Sequence, residues 1–277
     1  MVERLVRDQE VAGSNPVSPI LYKYGSRKNI IQFCFVFLLR YLFLKKGLTM
    51  EKKHVPEFTA NLRKNIIKVP PVIRQNASGI TIIGKTIYSI LFTTDVAIIK
   101  NSNADAIIAV YPFTPHPAVT QAIMSIADVP VLCGVGGGIT NGLRSANIAL
   151  HAEFQGALAV VLNAPSSAQT IASVKQTVDI PVIITVVSEK MDVDEKINAG
   201  ADILNVSGAA QTPQIVRAMR KKYPNIPIIA TGGKDDESIL KTIEAGANAI
   251  SYTPITTAEL FRQIMQNYRS EFGEKQA

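Results

Sequence analysis

At 277 residues, with 47% apolar and 18% charged residues, the chain can bury one substantial core, and a single α/β barrel needs about 250 residues. The net charge of +7 does not describe the body of the chain, because the first 49 residues hold eight Lys/Arg against three Asp/Glu and so supply +5. The +2 that remains gives no basic stripe to track a phosphate backbone, which argues against a nucleic-acid partner. Two cysteines, Cys34 and Cys133, cannot form a disulfide framework and fit a reducing compartment, the cytoplasm by default.

The first segment reads as translated non-coding sequence. Gly13-Ser14-Asn15-Pro16-Val17 is what one frame of a transfer-RNA T-arm of the form GGTTCRANYCC encodes. Lys45-Lys46-Gly47 back-translates to AAAAAAGGN, a ribosome-binding sequence two codons ahead of the ATG of Met50. Both point to one expectation: Met1 to Thr49 is a non-native extension and the natural start is Met50. The competing membrane anchor, Ile30 to Leu44, spans 15 residues and contains Arg40, short of the ~20 apolar residues that a spanning helix needs. No small-residue cleavage site follows it, which argues against a signal peptide. An intact mass of the native protein that begins at Met1 would overturn the expectation.

After Met50, residues Glu51 to Gln75 read as a capping arm, and Ser78 to Ile87 as a hairpin able to plug the bottom of a barrel. From Ser89 onward, β-branched apolar runs alternate with amphipathic helical stretches, the signature of βα units around a parallel sheet. Eight strands are predicted: Ser89 to Thr93, Ala106 to Tyr111, Val131 to Val135, Ala157 to Asn163, Val182 to Val187, Ile203 to Ser207, Ile228 to Thr231 and Ala249 to Thr253. The joints alternate in kind. Asp128-Val129-Pro130, Asp179-Ile180-Pro181 and Asn225-Ile226-Pro227 lead into strands 3, 5 and 7, whereas Asn103-Ala104-Asp105, Gly200-Ala201-Asp202 and Gly246-Ala247-Asn248 lead into strands 2, 6 and 8. Gly156-Ala157 before strand 4 is a weaker match. Glycine ends a helix in the left-handed conformation, and proline sits at a strand edge because it cannot donate a ladder hydrogen bond. An open doubly wound sheet gives similar local signals, so the count of eight is what selects an α/β fold closed as a single (β/α)8 barrel.

The site of such a barrel lies at the carboxyl ends of its strands. The strongest local signal there is Pro227-Ile228-Ile229-Ala230-Thr231-Gly232-Gly233, followed by Lys234, Asp235 and a helix. Unhindered amides beside a helix N-terminus make a preformed anion site; the alternative is a plain tight turn. Gly134-Val135-Gly136-Gly137-Gly138 after strand 3 suits a mobile lid, a second anion nest or simply a flexible loop. It lacks the dinucleotide fingerprint, so no cofactor is implied. Asn163, Thr185, Asn205 and Ser207 are polar residues near strand ends, either facing a ligand or closing an internal network. For acid-base catalysis the candidates are Asp95, His116 and Glu189, with Cys133 beside them. Asp95 is equally a helix cap, His116 a turn former, Glu189 a solvated charge and Cys133 a core residue. No lysine stands at the ends of strands 4 to 6, so a Schiff-base mechanism would have to use Lys234 or another loop lysine and is not favoured, and carboxylates are too scattered for a metal cage.

The stretch Ile228 to Tyr252 resembles the phosphate-binding barrels that include thiazole synthase, IMP dehydrogenase, N-acetylmannosamine-6-phosphate epimerase and the keto-deoxy-phosphogluconate aldolases. In those proteins a strand-7 ending of the form I-A-x-G-G-I and a strand-8 sequence of the form G-A-D-A-V-x-V-G-x hold the substrate phosphate. The resemblance implies phosphate binding by Gly232 and Gly233, with Ser251, Tyr252 and Thr253 where the second phosphate-binding segment belongs; Lys234 would add a positive charge to the phosphate site, and Thr231 is a further substrate-binding candidate at the end of its strand. Ser251-Tyr252-Thr253-Pro254 replaces the usual glycine of strand 8, and Lys234 replaces the usual Ile or Val. The chain is also similar to Gram-positive bacterial proteins described simply as hydrolases. The expectation is an enzyme acting on a small phosphorylated metabolite by isomerase, epimerase or lyase chemistry. A hydrolase using Glu189 or His116 is the alternative, and a non-catalytic barrel that binds a ligand or partner is the third reading. No membrane partner is expected, and a homo-oligomer is compatible with the sequence.

Overall fold

Eight runs rich in Val, Ile and Ala form one closed parallel sheet. The computed structural model describes residues 67–274 together with His54, Pro56, Phe58 and Ala60. The chain divides into a unit ending at Phe58 and a second from Thr59 to Ala277, and the barrel belongs to the second. The expected extension, Met1 to Thr49, lies outside the described residues, as does most of the arm before Ile67.

A short helix, α1 (Pro71–Asn76), precedes an antiparallel hairpin of β1 (Ile80–Ile82) and β2 (Lys85–Ile87). The barrel strands follow: β3 (Ser89–Phe92), β4 (Ala106–Ala109), β5 (Val131–Gly136), β6 (Ala159–Leu162), β7 (Val182–Val186), β8 (Ile203–Val206), β9 (Ile228–Thr231) and β10 (Ala249–Tyr252). The helices that alternate with them are α2 (Val96–Lys100), α3 (Pro117–Ile126), α4 (Gly142–Phe154), α5 (Ala168–Lys175), α6 (Val193–Asn198), α7 (Thr212–Lys222), α8 (Asp236–Glu244) and α9 (Thr257–Glu274). Each strand pairs in parallel with the next, and β10 closes on β3. The expected TIM-type barrel and its hairpin are both present. No helix among the described residues is long and apolar enough to cross a membrane.

Because successive strand residues point to opposite faces, closure divides the apolar residues into two cores. Ile90, Ile108, Leu132, Val161, Ile183 and Ile229 fill the interior of the barrel together with hairpin residues Ile80, Ile82 and Ile87. The hairpin is therefore the plug that its sequence suggests. The residues between them on the strands pack outward against the helices.

The joints show why their motifs differ. Gly156, Gly200 and Gly246 have φ of 94°, 109° and 115°, the left-handed conformation that favours glycine. The polar residue that follows two positions after Gly200 and Gly246 clamps the foot of the preceding strand. Asp202 Oδ2 accepts from Val182 N at 2.8 Å, and Asn248 Oδ1 accepts from Ile228 N at 2.9 Å. Asp105 Oδ2 does the same for Ser89 N at 2.9 Å. Each clamp is met by a cation from a neighbouring helix: Arg74 on Asp105, Lys175 on Asp202 and Arg220 on Asn248. Leu158 occupies the equivalent place after Gly156, which is why that joint matches weakly.

Truncating the plug should open a cavity under the barrel. Ile87, 2% exposed, is expected to cost about 3 kcal/mol when changed to Ala, read as a lower urea midpoint at unchanged slope.

Candidate functional site

Closure brings the carboxyl ends of all eight strands to one rim, and with them residues far apart in the chain. Inward-facing positions continue by twos from the interior core. Thr185 follows Ile183, Asn205 follows Ile203, Thr231 follows Ile229 and Ser251 follows Ala249. Register pairs Thr185 with Asn205 across β7 and β8, and Thr231 with Ser251 across β9 and β10. Asn163 stands just beyond β6, and Ser207 and Thr253 stand just beyond β8 and β10.

None of the side chains of Asn163, Thr185, Asn205, Thr231 or Ser251 takes part in any of the side-chain hydrogen bonds among the described residues; outside this ring, Gln155 Oε1 and Ser166 Oγ are also buried without a partner. Thr140, Ser145, Thr170, Thr212 and Thr242, all buried, each have a partner. Asn205 is 8% exposed, and its Oδ1 is sealed from solvent without a partner. Leaving such a group unpaired costs about 1–3 kcal/mol, a cost that falls on Asn205 alone among the five side chains.

A cavity of about 710 Å³ opens beside β9 and β10, lined in part by Ala209, Thr231, Gly233, Lys234, Tyr252 and Thr253. The glycines act differently from one another. Gly232 N donates to Ser251 O at 2.9 Å, so this amide extends the sheet and is not free for an anion. A Cβ on Gly232 would meet Ile250 at 2.8 Å, and one on Gly233 would lie 1.8 Å from Ser238 Oγ. Packing thus demands both glycines. The N-terminus of α8 is already capped by Asp235, whose carboxylate accepts from Ser238 N at 2.8 Å. That backbone bond, with the Ser238 hydroxyl, holds the Asp235 carboxyl below its ordinary range. What is left for an anion is the Gly233 and Lys234 amides and the Lys234 ammonium, with Asp235 opposing from the same wall. Ala209, at φ 51°, is one of two non-glycine residues with left-handed backbone among those described, a conformation retained at a cost of about 1 kcal/mol.

Asp95, His116 and Glu189 lie at the same end of the barrel but line none of this cavity. Asp95 Oδ1 accepts from Ala97 N and Ile98 N, and its Oδ2 accepts from Thr257 N, so one carboxylate caps α2 and holds the start of α9. Burial pushes this carboxyl up, but the hydrogen bonds from Thr257, Ile98 and Ala97 outweigh it and the net shift is downward. His116 caps α3, its Nδ1 accepting from Ala118 N at 3.2 Å. Glu189 is exposed on the loop after β7. Cys133 points away from the mouth into the sheet–helix layer, where burial pushes its thiol up to about 12. No three His, Cys, Asp or Glu side chains among the described residues are grouped as a metal ion requires.

The glycine cluster after β5 is a built feature and not a slack loop. β5 runs to Gly136, and Gly137 N donates to Thr140 O to close a tight turn. A Cβ on Gly136 would lie 2.1 Å from Ser145 Oγ, and one on Gly137, at φ 114°, would lie 2.5 Å from Asn163 Cβ. These glycines let the turn press on the end of β6.

Sequence reasoning missed Lys196. It is 9% exposed on α6 and donates to the carbonyl of Ser166, whose own N–H donates to Asn163 O at 3.0 Å. Burial lowers its ammonium pKa. Lys196 thereby fixes the loop that presents Asn163, and its place three residues after buried Val193 was the available signal.

No protein-family model matches the sequence, and no curated protein does. Solved barrels match the structure. 2,3-Dimethylmalate lyase, a member of the PEP mutase/isocitrate lyase superfamily, is similar at TM-score 0.53 and 14% identity, over 74% of this chain and 86% of that one. Phosphonopyruvate hydrolase gives 0.51 and 15%, over 73% and 83%. Phosphoenolpyruvate phosphomutase from Streptomyces platensis subsp. rosaceus gives 0.51 and 15%, over 68% and 83%. At such identities the likeness establishes the shared fold. The likeness supports the coarser part of the expected resemblance, an aldolase-type barrel.

Asp95→Ala is expected to lower stability at pH 7 by about 1–2 kcal/mol, since the carboxylate caps two helices. A carboxyl whose folded pKa is depressed contributes stability above its unfolded pKa of about 3.9 and loses it as pH falls through the folded value. Urea midpoints of variant and wild type should therefore differ at pH 7 and converge as pH falls through the folded carboxyl's lowered pKa.

Proposed function

We propose that this chain is an enzyme acting on a small metabolite whose anionic, phosphate-type end meets Gly233 and Lys234 and whose polar body meets the ring of Asn163, Thr185, Asn205, Thr231 and Ser251. The observation that carries the reading is the unpartnered ring, above all Asn205 Oδ1. Polar groups kept unpaired in a free protein are matched to a ligand that pairs them, a trade of stability for function. Barrel enzymes do their chemistry at this rim, and the similar solved barrels carry lyase, hydrolase and mutase names.

The ionisable groups on the cavity wall are Lys234, Asp235 and Tyr252. Proton transfer in an isomerase- or lyase-type reaction is assigned to that side of the mouth, with Lys234 and Asp235 as the pair. Asp95 is not assigned a proton, because both its oxygens are committed to caps. His116 and Glu189 stay outside the assignment because neither lines the cavity. A second reading, a non-catalytic ligand-binding barrel, draws on one specific feature: no ionisable side chain stands among the five ring residues.

Two variants test the proposal. Glycerol phosphate should raise the melting temperature of the wild type by several degrees when it is well above its Kd. Lys234→Glu should weaken that binding at least tenfold, and unchanged affinity would remove the anion site. Lys234→Glu is preferred to changing a glycine because it adds no Cβ inside packed space. Asn205→Leu should stabilise the free protein by about 1 kcal/mol while weakening the ligand. Loss of stability instead would mean that the carboxamide serves the fold. A bound metabolite recovered unaltered after long incubation would favour the binding barrel over the enzyme.

A further inference from the structure

The mouth has two unlike sectors. On β6 to β10 the inward positions nearest the rim are Asn163, Thr185, Asn205, Thr231 and Ser251, all polar. On β3 to β5 the corresponding positions are Phe92, Val110 and Gly134, none of them polar. The loops above β4 and β5 continue the difference, with Phe113 56%, Ile139 82% and Leu143 76% exposed, and Phe92 itself 41% exposed. Large apolar side chains are exposed elsewhere too: Val187 and Ile255 above β7 and β10, Phe261 and Phe272 on α9, and Ile83 and Phe154 at the hairpin tip and the end of α4.

Strand order fixes how these sectors face each other. Around the closed barrel β5 stands opposite β9, and β4 stands opposite β8. The apolar loops of Phe113, Ile139 and Leu143 therefore lie across the mouth from Asn205 and from the Gly233–Lys234 anion group. Phe113, its ring 5.6 Å from that of Tyr111, stands over a small cleft where Val110 and Gly134 meet Asn163. Apolar side chains left in water beside a polar binding ring mark a site rather than a random surface.

We propose that the ligand of this mouth is an elongated amphiphile: a neutral hydrogen-bonding middle on Asn205 and Thr185, an anionic end at Gly233 and Lys234, and an apolar body against Phe92, Phe113, Ile139 and Leu143. This rests on the proposed site but asks more of it, since a compact sugar phosphate would leave the apolar sector wet. The occupant is a small molecule and not a protein or a bilayer, because Phe113 of the apolar sector shares a cleft with Asn163 of the polar ring inside the barrel mouth. A flat macromolecular surface could not reach that ring.

The test uses the full chain and three probes below their micellar concentrations: inorganic phosphate, n-octyl phosphate and n-octyl glucoside. Calorimetry should show octyl phosphate binding at least tenfold tighter than inorganic phosphate, with a negative heat-capacity change from apolar burial. Phe113→Ser should cut the ratio of the two affinities at least fivefold. Asn205→Leu should weaken octyl glucoside, whose head is neutral, at least fivefold. Equal affinities for octyl phosphate and inorganic phosphate, or a ratio untouched by Phe113→Ser, would overturn the amphiphile while leaving the anion site standing. Octyl glucoside binding retained in Lys234→Glu, with phosphate unaffected by that change, would instead remove the anion site and keep the amphiphile. Two further results also overturn the inference. One is Phe113-dependent binding to phosphatidylglycerol vesicles without binding of monomeric octyl phosphate. The other is a dimer in solution that Phe113→Ser dissociates while the octyl probes do not bind.

Discussion

Closure of a parallel sheet is the constraint from which the rest of this molecule follows. Once β10 pairs with β3, every second strand residue must enter a narrow interior, and no edge remains to relieve the demand. Low in the barrel that demand is met by Ile, Val and Leu and by the hairpin that brings Ile82 and Ile87 in from below. High in the barrel it is met by hydroxyls and carboxamides. The clamps of Asp105, Asp202 and Asn248 at the feet of β3, β7 and β9 tie the lower rim with charged or amide side chains. The two ends thus differ: the feet of β3, β7 and β9 are clamped by paired polar side chains, whereas the five side chains on the inner wall at the top make no hydrogen bond.

That contrast separates structure from function energetically. Thr170, Ser145 and Arg220 serve the fold, and each has partners. Asn205 has none, although its Oδ1 is sealed from solvent. A closed barrel of this size carries many apolar contacts and can tolerate a deficit of one or two kcal/mol where a ligand will make it good. Lys196 shows the supporting investment behind the ring: a buried cation spends its hydrogen bond on the Ser166 carbonyl so that the loop carrying Asn163 keeps its place.

The fold was legible because two periods coexist in the sequence. Strand positions repeat by twos and unit joints repeat by pairs of units, so eight strands could be drawn to within a few residues. The exceptions were ends such as Tyr111 and Asn163, where the chain has already left the ladder. The polar ring was legible for the same reason, since Thr185, Asn205 and Ser207 stand at even steps from apolar interior residues. Acid-base candidates were not, because a helix starts after each strand and its free amides compete for any nearby acceptor. Asp95 and His116 are both taken by that competition. The Gly232-Gly233 pair was half legible: its turn could be read, but nothing local in the sequence tells that one amide is spent on Ser251 or that Ser238 fills the space beside the other.

The distribution of charge around the mouth bears on the kind of chemistry that can occur there. An ionised group standing unpaired on the inner wall would be desolvated at a cost of several kcal/mol, and such groups shift their pKa or acquire a partner. This barrel avoids the expense by keeping its inner wall neutral and its ionisable residues, Lys234 and Asp235, on the cavity wall near solvent. On the proposed function, substrate atoms over Asn205 would be oriented and polarised by hydrogen bonds, and protons would move at the edge, where the anionic end of the ligand would be held. Recognition at the centre and proton transfer at the rim are in that way assigned to different strands. A change at β7 or β8 should alter which molecule is accepted, whereas one after β9 should alter how fast it reacts.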